Sequence, residues 1–418
     1  MNNRNLIVRF FSALWAGADG VRKILHLVLL LFIFLLFFGA LSGPAPTLPK
    51  NAALYIQPYG TLVEQLEGDP YDRAIADLLD DGRPQTLVHD IVDALGYAKD
   101  DDRIEVVYLE LSNMLGSGLS KLQRVAAAID DFKTSGKPVI ASADFMGQPA
   151  YYLAAHADEV YLHPQGAVML RGYGRFRTFY KDAIDALRID WNVFRVGTHK
   201  SFVEPFTRMN MSDEDRESTI RVIDQFWTLY QGDVADARTL ENVAIDDFTR
   251  NLVDHVQSAE GDLAIAARDF GLVDELLTRN EVRERMIAYV GEDEEDPDMF
   301  NSIDMGRYLR QMRMLSGEGV ESKNVAIIVA AGDIFFGTRA PGNIGADSTA
   351  ELLRRAGNDE SVLAVVLRID SPGGSVFAAE VIADEIEALR QSGKPVVASM
   401  SSVAASGGYA IAMNADRI

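Results

Sequence analysis

Ser135 to Ser142 reads SGKPVIAS, and 257 residues later Ser392 to Ser399 reads SGKPVVAS, identical at seven of eight positions. The flanks repeat as well. Upstream, RIEVVYLEL (Arg103 to Leu111) parallels SVLAVVLRI (Ser361 to Ile369), each an apolar, β-branched run suited to a strand buried on both faces. Downstream, YYLAAHADEV (Tyr151 to Val160) parallels GYAIAMNADRI (Gly408 to Ile418) with one residue inserted. Each copy therefore reads strand, helix, strand, helix, strand, with the first helix over Leu119 to Lys133 in one copy and Val376 to Gln391 in the other. Strands alternating with helices predict parallel sheets with right-handed crossovers, an α/β fold. The period is far longer than that of a solenoid, so a whole domain is duplicated.

Working outward, each copy opens on an apolar strand: ALYIQPYG from Ala53 and NVAIIVAAGDIF from Asn324. The expected domains are 50–290 and 323–418, joined over 291–322 by a linker that begins with the acidic run EDEEDPD (Glu292 to Asp298). Between the repeated blocks a long helix is expected from Ser212, where Ser212 and Asp215 have capping-box-like spacing. The second copy reaches Ile418 where the first still has more than a hundred residues to run, so the chain is expected to continue in a longer protein.

Before the first copy lies ILHLVLLLFIFLLFFGAL, Ile24 to Leu41, without a formal charge. As a helix it reaches about 27 Å, close to the hydrocarbon thickness of a bilayer. Residues 1–23 carry Arg4, Arg9, Arg22 and Lys23 against Asp19, which predicts a cytoplasmic N-terminus and a transmembrane anchor over 24–41. The acidic bulk would then lie across the membrane. A cleaved signal peptide is the competing reading, with Ala40-Leu41-Ser42 as a weak processing site. Pro44, Pro46 and Pro49 would end the helix stiffly.

The net charge of −22 argues against nucleic acid as a partner. The absence of cysteine excludes thiol catalysis, Cys-ligated zinc, iron–sulfur clusters and disulfides.

Chemistry is expected where the copies differ. After its first repeated strand the second copy has SPGGS (Ser371 to Ser375), and after its next, SSVAASGGY (Ser401 to Tyr409). Glycine pairs beyond the carboxyl ends of parallel strands let backbone N–H groups face a ligand. Ser406 would sit at a helix N-terminus that favours developing negative charge, either as a nucleophile or as an ordinary N-cap. The first copy has Pro149 at the aligned position and SNMLGS in place of SPGGS, so only the second carries this constellation. A serine nucleophile needs a base. The histidines are His26, in the apolar run, and His89, His156, His163, His199 and His255, all in the first copy. Lys200, in RVGTHKSFVEPF, is the alternative, provided that burial among Val196, Phe202, Val203 and Phe206 keeps it neutral. Its other reading is a surface lysine paired with Glu204 at i+4.

SPGGS, AASGGY, the KSxxEPF pattern at Lys200 to Phe206, the N-terminal anchor and the duplication together resemble the signal peptide peptidase A (protease IV) family in its long two-domain form. The resemblance covers the chain from the anchor to Ile418. It implies ClpP/crotonase-like domains and a serine protease with a Ser/Lys dyad: Ser406 as nucleophile, Lys200 as general base, and Gly407 with Gly373 or Gly374 supplying oxyanion N–H groups. It further implies a homotetramer in a bacterial inner membrane, with the working part periplasmic, that hydrolyses spent signal peptides in the bilayer without metal or cofactor. Two other readings are a catalytically silent membrane scaffold and a crotonase-like acyl-CoA enzyme; the anchor and the lack of a basic site for CoA phosphates weigh against the second.

Overall fold

The strand IEVVYLE, Ile104–Glu110, has five of its seven residues buried and lies in the middle of a parallel sheet. In this computed structural model, which describes residues 3–41, 48–79, 82–241, 243–316 and 323–418, that sheet has six strands. Its order is Glu275–Leu276, Glu159–Leu162, Val139–Ala143, Ile104–Glu110, Ala52–Ile56 and Ser302–Asp304. The repeated block supplies Val139–Ala143, in which all five residues are buried. Val107 is in register with Leu54 on one side and Val139 on the other, so apolar side chains stack across neighbouring strands. The crossover helix Leu119–Lys133 buries Leu122, Val125, Ala126, Ile129 and Phe132, the spacing of a single helical face.

The second copy repeats the plan with a three-stranded parallel sheet, Asn324–Ala331, Val362–Ser371 and Val396–Ala404. Helices Ala346–Asn358 and Val376–Gln391 cover it. Val365, Leu367 and Ile369 from the central strand meet Ile382, Ile386 and Leu389 from the helix to form its core. Both repeated helices run over the residues expected from the sequence.

The linker expected over 291–322 is largely part of the first copy. Ser302–Asp304 extends the first sheet beside Ala52–Ile56, and helix Met305–Ser316 packs behind it. Tyr308 donates to Asp101 at 3.0 Å, and Arg313 reaches Asp90 and Asp93 at 2.7 and 2.8 Å. The acids before this strand obscured three buried apolar residues, Ile303, Tyr308 and Leu309, that need a core to enter. Residues 317–322 of the expected linker lie outside the described residues. The exposure of Glu292 and of 294–298 fits the solvated reading of the acidic run.

Residues Met1–Pro49 form a unit separate from Lys50–Ile418. Its described residues include one helix, Asn3–Leu41, in which Gly17–Phe37 is long and apolar enough to cross a membrane. That stretch overlaps the expected span 24–41. Ser42, Pro44 and Pro46 fall outside the described residues.

Candidate active site

Ser371 ends the central strand of the second copy and holds two loops together. Fully buried, it accepts the Gly373 N–H on Oγ at 3.1 Å and the Ala405 N–H on its carbonyl at 3.0 Å. The first loop, Pro372 to Ser375, is pinned to Ile334: the Ile334 N–H donates to Gly373 at 2.9 Å and Ser375 donates back at 3.0 Å. Gly373 and Gly374 have φ of 105° and 156°, which other residues rarely adopt. A Cβ on Gly373 would lie 2.8 Å from the Cβ of Ser406 and 2.7 Å from the Gly407 nitrogen, so this glycine is what admits the second loop.

Ser406 stands in that second loop, at a sharp turn between strand Val396–Ala404 and the short helix Gly407–Ala410. Its φ of 51° and ψ of −119° are strained for a residue with a side chain, a conformation familiar from nucleophile turns that lift a serine hydroxyl clear of the sheet. The residue is exposed and its side chain caps nothing, so the ordinary N-cap reading does not hold. The helix that follows has only four residues, too short to supply the dipole expected for it. What faces the serine instead is a pair of backbone amides. A Cβ on Gly407 would lie 3.3 Å from the Gly374 nitrogen, and among the described residues neither the Gly374 nor the Gly407 N–H donates to a protein acceptor. Since the Gly373 N–H is taken by Ser371, Gly374 is the free donor of the two candidates in that loop. Two unengaged backbone N–H groups therefore lie beside Ser406.

In the first copy the equivalent elements serve the fold. Pro149 occupies the first turn of helix Gln148–Ala155, and Met114–Gly116 pairs as a strand with Gly60–Val63.

Lys200 is exposed, and among the described residues its side chain makes no hydrogen bond or ion pair. The burial expected around it is not found: Val196 and Phe202 are 92% and 76% exposed. The surface pair with Glu204 is not found either, because Glu204 is buried and accepts the Ser212 N–H at 3.0 Å. The rest of the KSxxEPF pattern is held firmly. Ser201 donates to Asp215 at 2.6 Å, Ser212 caps helix Asp213–Arg238 by accepting from Asp215, and Phe206 stacks on Trp191 at 4.6 Å. Burial opposes the Asp215 charge, but Ser201, Arg175 and Arg177 outweigh it and hold its carboxyl below the usual range. The motif thus fixes the turn that carries Lys200 without joining Lys200 to Ser406 in the single chain.

One group of residues near the serine has no signature in the sequence. Glu64, Ser120 and Lys121 of the first copy meet Arg368, Asp370, Ser401 and Ser402 of the second, with Arg124 behind Glu64. Lys121 Nζ lies 2.5 Å from Asp370 Oδ2 and donates to Ser402 Oγ at 2.8 Å. Glu64 Oε1 accepts from Arg368 and from Ser401, each at 2.7 Å. Burial raises the Glu64 carboxyl, yet these two donors and the charges of Arg368 and Lys121 bring it below its ordinary value. The partners are some 250 to 340 residues apart, so only the tertiary fold shows them together.

The profile of peptidase family S49 matches residues 131–291 and 388–418. Protease 4 of Haemophilus influenzae is 34% identical over 93% of this chain and 63% of its own length. Protease 4 of Salmonella typhi is 35% identical over 99% of this chain and 67% of its own. The chloroplastic serine protease SPPA of Arabidopsis thaliana is 29% identical over 76% of the chain and 46% of its own. This chain spans about two thirds of the length of the two bacterial relatives. With matches that run across both copies and both glycine loops, the chain belongs to peptidase family S49.

Proposed function

We propose that this chain is the anchor and working part of a membrane serine endopeptidase built from ClpP/crotonase-like domains. Ser406 is the nucleophile, Lys200 the general base, and the Gly374 and Gly407 N–H groups form the oxyanion hole. The observation that carries the reading is the free, exposed hydroxyl of Ser406 in a strained turn beside two backbone donors that serve no other acceptor among the described residues. The protease relatives and the S49 match support the same class.

Lys200 takes the proton as Ser406 Oγ bonds to the peptide carbonyl carbon. The carbonyl oxygen takes up the negative charge between the two N–H groups. Collapse of this intermediate breaks the C–N bond, and Lys200 returns the proton to the departing amine. Water, deprotonated by the same lysine, then releases the acyl group and restores the serine. For Lys200 to act while neutral it must be desolvated, and we assign that to assembly: Phe194, Val196 and Phe202 around it are uncovered in the single chain and would be buried in a homotetramer. The apolar stretch Gly17–Phe37 anchors the protein with its N-terminus cytoplasmic and the catalytic copies periplasmic. Spent signal peptides, apolar and delivered in the bilayer, are the proposed substrates.

The test is Ser406→Ala and Lys200→Ala in the full-length, membrane-extracted protein, assayed on a fluorogenic signal-peptide substrate. Each substitution is expected to abolish turnover with the melting temperature unchanged, because the two side chains act as one unit. Near-normal turnover by the lysine variant would remove Lys200 from the mechanism, and by the serine variant would remove the nucleophile.

A further inference from the structure

The pairing of the last two strands of the second copy breaks just before the serine. Ile369 is opposite Met400, but Ser371 is opposite Ala404, so two extra residues are accommodated within Ser401, Ser402 and Val403. Such a bulge redirects the chain beyond it, and here what lies beyond is Ala405 and Ser406. The shape of the bulge therefore sets where the hydroxyl points.

Inside the bulge stands Asp370, whose Oδ1 accepts the Val403 N–H at 3.1 Å. Its other oxygen is held by Lys121, which comes from the first copy and is 6% exposed. The same ammonium holds Ser402, and Glu64 holds Ser401. Gly118, at the start of the Lys121 helix, permits this approach, since a Cβ there would lie 2.0 Å from Ser402 Oγ. A buried ion pair is a poor source of net stability, because desolvating two charges cancels much of their attraction. Its geometric effect is different: one fixed donor, Lys121, and two fixed acceptors, Glu64 and Asp370, hold three consecutive residues that no regular strand pairing constrains.

We infer that Lys121 and Asp370 are positioning residues for the nucleophile. They hold the bulge so that Ser406 meets the Gly374 and Gly407 N–H groups, and so make hydrolysis depend on the packing of the first copy against the second. This rests on Ser406 being the nucleophile, and the experiment separates the two ideas. Lys121→Met alone strands the Asp370 charge and threatens folding. Lys121→Met/Asp370→Leu removes both charges together and replaces them with apolar volume, which leaves a buried site stable in comparable cases. In the full-length protein, kcat of this double variant on a peptide substrate is expected to fall about 10- to 100-fold, with KM within about twofold and the melting temperature unchanged. Ser406→Ala serves as the control. An inactive control with a double variant turning over within about twofold of the parent, or losing activity only through KM or through melting, overturns the inference. An active control overturns the nucleophile itself.

Discussion

At Gly373 there is no room for a methyl group. A Cβ would meet the Ser406 Cβ, the Gly407 nitrogen and the Ala405 oxygen, all under 3.0 Å, and the φ of 105° is unfavourable for any side chain. Gly373→Ala is therefore expected to push the two loops apart. Its backbone strain costs about 1–3 kcal/mol, while displacement of the proposed oxyanion donors by about an ångström costs about 100-fold in turnover. Kinetics beside a thermal melt would check this; an alanine variant with parental kcat would mean that the loops do not need their present contact. The glycine pairs could be read from sequence as a place where backbone approaches a ligand. Which amide is free could not, because it depends on Ser371 Oγ capturing the Gly373 N–H, a contact settled only by side-chain direction.

Between elements, the seam formed by Glu64, Arg368 and Ser401 joins the first copy to the strand that leads into the serine. The Glu64 carboxyl is held below its ordinary range, so its ionised form is favoured by folding. It follows that its contribution is complete above the usual glutamate value and is lost as pH falls through the lowered one. Glu64→Gln is expected to lower stability at neutral pH by about 1–3 kcal/mol, since the partly buried Arg368 is left without its counter-charge. The gap to the parent should narrow as the solution is acidified, and urea melts over a pH series would show it; a gap constant down to acid pH would deny Glu64 its role. At another junction, Ser212→Ala removes the cap of helix Asp213–Arg238 and is expected to cost about 1 kcal/mol. The cap spacing, the crossover helices and the buried strands were all legible, because each depends on residues within a few positions of one another. Ser302–Asp304 was not: three residues carry no periodicity, and only the open edge beside Ala52–Ile56 makes them a strand. The bulge at Ser401 to Val403 was hidden for the same kind of reason, since its register is set by residues from the other copy.

Across the whole molecule the unresolved demand is for cover over the segment that carries Lys200. Phe176 and Phe194 are each 97% exposed and Val196 is 92% exposed, an unusual density of large apolar side chains facing water. The turn beneath them is nevertheless fixed, by Ser201 on Asp215, Glu204 on the Ser212 N–H and Phe206 on Trp191. A rigid turn with an apolar outer surface is suited to docking, and docking is what would take water away from the lysine. The resulting expectation is that activity and assembly rise and fall together. Phe194→Ser/Val196→Ser should shift the detergent-solubilised protein towards monomer in sedimentation and lower turnover per serine by about tenfold or more, as expected when a general base is lost. Circular dichroism should be unchanged, because neither side chain contributes to a core. A monomeric variant with full turnover would show that Lys200 needs no neighbour, and a tetrameric variant without turnover would place these side chains in substrate binding rather than in assembly.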